Sequence, residues 1–200
     1  TNRTTLVEVL NSTEKIPVQI YVKGDVSMLM MRDGSIYGCG SNSFGQLGDG
    51  TTTNRSTIVE MTNSSSSTPK DIQVNGSNTF ILMNDDTIYA TGYNNYGQLG
   101  TGNTTNASTM VEVTNNTGKT VESIISNESL LLAFMTDKTI YGTGYNNSGS
   151  LGIGNTTNRT SLSSQMTNNT GKTPSQIVCG KFFVIVKMTD GTGYGTGENT

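Results

Sequence analysis

Short apolar runs alternate along the chain with clusters of Thr, Asn, Ser and Gly, and the runs come in sets of four. In the second set they are Thr57–Thr62, Asp71–Val74, Thr79–Asn84 and Thr87–Gly92. The third member of each set is nearly continuous in apolar side chains: Met28-Leu29-Met30-Met31, Phe80-Ile81-Leu82-Met83, Leu130 through Met135, and Phe182 through Val186. So short an apolar run fits a strand covered on both faces, and the Gly and Asp pairs that bound it favour strand over buried helix. Asp33-Gly34, Asp85-Asp86 and Asp137-Lys138 stand where a two-residue hairpin turn must join the third run to the fourth.

The sets are copies of one another. Asn2, Asn54, Asn106 and Asn158 lie 52 residues apart, each within Thr-Asn-x-[Ser/Thr]. The chain therefore divides into units of approximately 1–52, 53–104, 105–156 and 157–200, the last incomplete, in one repeat array. A period of this size points to propellers or solenoids, and four strands per copy is the content of a propeller blade. The expectation is an all-β fold of β-propeller-type repeats, four four-stranded units within a larger ring or assembly.

The segment Asn42-Ser43-Phe44-Gly45-Gln46-Leu47-Gly48-Asp49-Gly50 recurs at 94–102 and 146–154. Fixed glycines at Gly45, Gly48, Gly97, Gly100, Gly149 and Gly152 imply positive φ or close backbone approach, and Leu47, Leu99 and Leu151 read as plugs between neighbouring units. Both ends of the array lack a polar cap, which would leave strand edges open to pairing. The expectation is that Leu6 to Val9 pairs outside its own unit, with the final unit around Tyr194 or with another copy.

These loops resemble the repeats of the regulator of chromosome condensation family, through Ile36-Tyr37 with Gly40-Ser41-Asn42 to Gly50, Ile88-Tyr89 to Gly102, and Ile140-Tyr141 to Gly154. The resemblance extends over essentially the whole chain and implies four-stranded propeller blades, seven to a ring in the best-known members. The family's Trp is replaced by Cys39, Thr91, Thr143 and Thr196, and its His is missing throughout. That departure implies a divergent subfamily with different packing between blades.

Composition removes most chemistry. With no His in the chain, Ser-His-Asp and Cys-His nucleophiles and His-bearing zinc sites are ruled out. Asp33, Asp85 and Asp137 recur once per unit and read as turn residues, while Gly118-Lys119-Thr120 and Gly171-Lys172-Thr173 lack the earlier glycine of a phosphate loop. No catalytic, metal or cofactor-binding residue is assigned, and the chain is read as a non-enzyme. A net charge of −3 supplies no basic stripe for nucleic acid, and no apolar run is long enough for a membrane span. Cys39 and Cys179 are read as free thiols.

Asn-x-[Ser/Thr] sequons at Asn2, Asn54, Asn106 and Asn158 are candidate sites for N-linked glycans, and favour an extracellular or cell-surface setting over the cytosolic alternative. Two functions remain open. One is a non-catalytic extracellular scaffold or surface fibre component acting through protein contacts and β-edge assembly, with copies of itself as partners. The other is a propeller module that grips a single protein partner, as the resemblance implies for GTPase regulators and enzyme inhibitors. Phe44, Tyr93, Tyr96 and Tyr145 form no cluster visible in sequence apart from the repeat, which tips this reading to the scaffold.

Overall fold

A computed structural model describes residues 14–198. Its strands are β1 (Pro17–Lys23), β2 (Val26–Met31), β3 (Ile36–Gly40), β4 (Arg55–Glu60), β5 (Pro69–Val74), β6 (Asn78–Met83), β7 (Ile88–Gly92), β8 (Ala107–Glu112), β9 (Val121–Ser126), β10 (Leu130–Met135), β11 (Ile140–Gly144), β12 (Pro174–Cys179), β13 (Phe183–Met188) and β14 (Gly193–Gly197). Among the described residues there is no helix. The strands form antiparallel sheets ordered β1-β2-β3-β4, β5-β6-β7-β8, β9-β10-β11 and β12-β13-β14.

Sheet and sequence unit are out of phase by one strand. β4 opens the second sequence unit but pairs with β3 of the first, Tyr37 opposite Glu60 and Gly40 opposite Arg55. β8 joins β7 in the same way. The third sheet departs from the expected four strands. Over 161–166, the segment that follows the third sheet as β4 and β8 follow the first two, there are only isolated bridges, Gly144 with Arg159, Tyr141 with Gln165 and Asn115 with Leu162. The sequence explains it: five steps separate Arg55 from Glu60 and Ala107 from Glu112, but six separate Arg159 from Gln165. The extra residue breaks the register, and Leu162 turns inward, fully buried, bonding its amide to Thr114 O at 3.0 Å. The pairing expected for Leu6 to Val9 lies outside the described residues.

In the second and third sheets the strands β6 and β10 are covered on both faces because each of these sheets packs against the sheet before and the sheet after it, whereas β13 of the fourth sheet is covered on one face only, with Phe183 and Ile185 exposed. In β6, Ile81 and Met83 belong to the apolar cluster shared with the first sheet, while Phe80 and Leu82 belong to the cluster shared with the third. β10 repeats this, with Leu131, Ala133 and Met135 facing back and Leu130, Leu132 and Phe134 facing forward to the fourth sheet. A strand has two faces of alternate residues, so a layer between two layers needs an unbroken apolar run.

At the β2–β3 type turns, left-handed backbone occurs at Gly34, Asp86, Lys138 and Gly191. Three of the four turns carry a clamp that sequence reading missed. Lys15, Lys119 and Lys172 pair with Asp33, Asp137 and Asp190 at 3.1, 2.8 and 2.8 Å. Each ammonium also lies over a tyrosine ring, of Tyr37, Tyr141 and Tyr194 respectively, at 5.3, 5.3 and 5.5 Å from the centroid. In the second sheet Ser67 takes the lysine's place, and its hydroxyl accepts from the Asp85 amide.

The clamps are expected to make stability acid-sensitive. The Ser35 hydroxyl and amide, then Lys15, hold Asp33 down to about 2. Lys119, then Thr139, hold Asp137 at about 2, and Lys172, then Thr192, pull Asp190 lower still. Because the folded carboxylates are more acidic than the unfolded ones, their contribution is complete above the unfolded pKa of about 4 and disappears as pH falls through about 2. The melting temperature is expected to hold from neutrality to about pH 5 and to drop steadily below it. A thermal-denaturation series on wild type and Asp137→Asn checks this, the variant starting lower at neutrality and declining less on acidification.

Candidate functional site

Opposite the Asp turns, one end of the array gathers the 41–54, 93–106 and 145–158 loops with the β5–β6, β9–β10 and β12–β13 turns. Each loop is built on a fully buried asparagine. Asn42 accepts from Leu47 N at 2.9 Å and donates to Thr51 O and Thr53 O, both at 3.1 Å. Asn94 and Asn146 do the same with Leu99 and Leu151 and with the carbonyls of Asn103, Thr105, Asn155 and Thr157. One side chain thereby satisfies backbone groups that no ladder can reach.

The sequon asparagines complete this arrangement. The side-chain oxygens of Asn54, Asn106 and Asn158 accept the backbone amides of Asn42, Asn94 and Asn146 at 2.8, 2.8 and 2.7 Å. They have a structural task whatever else they carry; Asn2 lies outside the described residues. Asp49 is likewise occupied within its loop, accepting from Asn42 and Thr51 and pairing with Arg55.

Gly45, Gly48, Gly97, Gly100, Gly149 and Gly152 all have positive φ, from +63° to +86°. Leu47, Leu99 and Leu151 are buried, one in each of the three apolar clusters between sheets. The loops also stitch sheet to sheet through polar groups. Thr91, Thr143 and Thr196, at the position where the resembled repeats have Trp, donate to Gly45 O, Gly97 O and Gly149 O of the preceding loop at 2.6, 2.7 and 2.8 Å. Gln46 and Gln98 reach the next sheet's hairpin at Gly76 O and Glu128 O, and Ser150 takes their place with a bond to Phe182 O.

This rigid frame presents aromatics in a line. Phe44 meets Tyr93 at 4.9 Å between centroids, Tyr93 meets Tyr96 at 6.1 Å, Tyr96 meets Tyr145 at 5.1 Å, and Tyr145 meets Phe182 at 5.5 Å. The ladder spans from the first loop to the fourth sheet, tilted ring on ring, with Phe44 and Tyr96 exposed and the others half-buried. Sequence reading named four of the five residues but not their continuity. Phe182 was assigned to a buried run and instead closes the line at the β12–β13 turn. Such a surface can bury rigid aromatic area against a partner, but it has no chemistry of its own. Among the described residues no group of three His, Cys, Asp or Glu could hold a metal ion. Cys39 and Cys179 are free and half-buried, and burial pushes Cys179 up to about 11, so neither is an activated thiolate.

The family model of the regulator of chromosome condensation (RCC1) repeat matches residues 33–83 and 85–125. A second model of the same repeat matches 70–98. The human X-linked retinitis pigmentosa GTPase regulator is 28% identical over 147 residues, 72% of this chain and 14% of that protein. Among solved structures, human WBSCR16 superposes with a TM-score of 0.77 at 18% identity, covering 90% of this chain and 47% of that one. Yeast RCC1 (Prp20), solved bound to Kap60, gives 0.76 at 16% identity, covering 94% and 45%. The chain thus spans a small part of the curated relative and slightly under half of each solved propeller.

The loop frame generates a paired prediction. Gly100 has φ +67°, and a Cβ there would meet Val113 at 2.7 Å, whereas Gly118 has the same φ with nothing near. Gly118→Ala is expected to cost about 1 kcal/mol from backbone strain alone, and Gly100→Ala about 2 to 3 kcal/mol, since packing must also yield. Denaturant unfolding checks it; equal losses would remove the packing part of the explanation.

Proposed function

The chain is built of regulator of chromosome condensation repeats in an all-β propeller fold, and from that premise we propose that it is a non-catalytic binding module gripping one protein partner through the aromatic ladder. The ladder is the observation that carries the reading. The scaffold reading leaned on the lack of an aromatic cluster beyond the repeat pattern. Folding brings Phe44, Tyr93, Tyr96, Tyr145 and Phe182 into one connected strip, and this tips the balance to binding. Tyrosines held by a stiff frame contribute contact area at little entropic cost, which is why they recur as interface anchors. The relatives' names point the same way, one a GTPase regulator and another solved with a bound protein. A small GTPase is accordingly the first partner class to test.

Quantitative capture with immobilised chain, over a panel of small GTPases and a cell extract, tests the proposal. Wild type is expected to retain a defined protein. Tyr96→Ala or Tyr145→Ala should weaken it at least tenfold, since truncating a central aromatic anchor costs about 2 kcal/mol. Asn116→Ala, at the opposite end, should leave binding unchanged. Loss on Asn116→Ala with retention in both tyrosine variants would place the binding surface elsewhere.

A further inference from the structure

One unit of the array keeps the seat of an ammonium group without the ammonium. Ser67 stands 52 residues after Lys15 and 52 before Lys119, at the position where the other three units carry the clamp lysine. The groups that receive that lysine elsewhere are all present in the second unit. Asp85, Thr87, Tyr89 and Glu112 correspond in the repeat to Asp33, Ser35, Tyr37 and Glu60. Those four hold Lys15 through Asp33 Oδ2 at 3.1 Å, Ser35 Oγ at 3.0 Å, Glu60 Oε1 at 3.5 Å and the ring of Tyr37 at 5.3 Å. Lys119 repeats the carboxylate, hydroxyl and ring contacts with Asp137, Thr139 and Tyr141, and Lys172 with Asp190, Thr192 and Tyr194.

The carboxylate of Asp85 is already oriented for such a guest. In the three clamped units Oδ1 accepts the hydroxyl and amide of the residue two places on, while Oδ2 takes the ammonium. Asp85 Oδ1 accepts from the Thr87 hydroxyl at 2.6 Å and its amide at 3.1 Å in the same way. These two bonds, the hydroxyl first, hold the Asp85 carboxyl below its ordinary range and so keep it anionic at neutral pH. The cations nearby are engaged with other partners, Lys70 with Asp86 at 3.4 Å and Lys119 with Asp137 at 2.8 Å.

The space is open as well. Glu112 stands opposite Tyr89 in register, as Glu60 does opposite Tyr37. Tyr37 and Tyr141, under their lysines and bonded to Glu60 and Gln165, are 5% and 8% exposed, whereas Tyr89 is half-buried. A cavity of about 320 Å³ lies at this place, lined by Asp85, Thr87, Ile88, Glu112 and Asn115.

We propose that this seat, at the Asp turn of the second sheet and opposite the aromatic ladder, takes the ε-ammonium of a lysine presented by another protein. The occupants seen in the three equivalent seats are all lysine side chains, whose three N–H donors and compact charge suit a carboxylate, a hydroxyl and a ring face together. Lys119 also borders the cavity, which disfavours a ligand with a second ammonium such as a free diamine. The seat is independent of the ladder, so its failure would leave the partner reading of that surface standing.

Amide NMR titrations of the 200-residue chain with acetyl-Gly-Lys-Gly-amide at constant ionic strength test the proposal. The Thr87 amide, which donates to Asp85, is the reporter. It is expected to shift saturably with half-saturation on the order of 10 mM, the scale of one exposed ion pair and one ring contact. The same peptide with its lysine acetylated should give no saturable shift, and putrescine should bind no more tightly than the lysine peptide. Ser67→Lys is expected to seat its own ammonium on Asp85 and abolish the titration. Asp85→Asn, whose amide oxygen can still accept from Thr87, should abolish it without adding a side chain, and unchanged spectra elsewhere would confirm both folds. A wild type without a saturable shift, an equal response to the acetylated peptide, tighter binding of putrescine, or a titration that survives in either variant would each overturn the lysine seat.

Discussion

A sheet whose middle strand is apolar on both faces cannot stand alone in water, and that constraint organises the rest of this protein. Phe80 to Met83 and Leu130 to Met135 have no polar side to turn outward, so the second and third sheets are each stable only as a slice between two others. The core is accordingly three interlayers, each assembled from the front of one sheet and the back of the next. Local sequence makes the strands, but burial arrives only with a neighbour.

Apolar contact alone tolerates sliding, and the loops remove that freedom. Thr91 and Thr143 are buried and donate backward across the interlayer, while Gln46 and Gln98 donate forward. At three of the four positions where the resembled repeats carry a large indole, this chain uses a threonine hydroxyl and lets the facing glycine carbonyl approach it. The exchange trades area for direction: each bond is satisfied at one offset of the two sheets. The aromatic ladder depends on it, since rings contributed by different sheets meet only if those sheets hold their relative height.

The elements legible in sequence were those written within a few consecutive residues. The third runs emerged as strands within a residue or so of their expected limits, because period and length are local signals. The glycine and leucine positions of the loops followed from fixed offsets within one copy. What escaped lies between copies. Nothing in sequence order says that Arg55–Glu60 pairs backward with β3, or that Tyr96 meets Tyr145, because both require knowing how one unit docks on the next. The Lys–Asp–Tyr clamp did leave a trace, a lysine eighteen positions before the turn aspartate in three units, and comparing the units column by column would have found it. The lost strand after Arg159 was likewise written as a single inserted residue.

The one-strand offset between sheet and sequence unit has a consequence for how such an array can change in length. Because both four-stranded sheets straddle a unit boundary, copying or excising a stretch of 52 residues within the regular part of the array rejoins three strands to a fourth of the same kind, wherever the break falls. The inherited module and the folded module need not coincide, so gene rearrangement is spared from finding a domain border. A slip of one residue has the opposite character. The segment from Arg159 to Gln165 keeps three isolated bridges but loses its strand, a local scar that leaves the layers on either side in place.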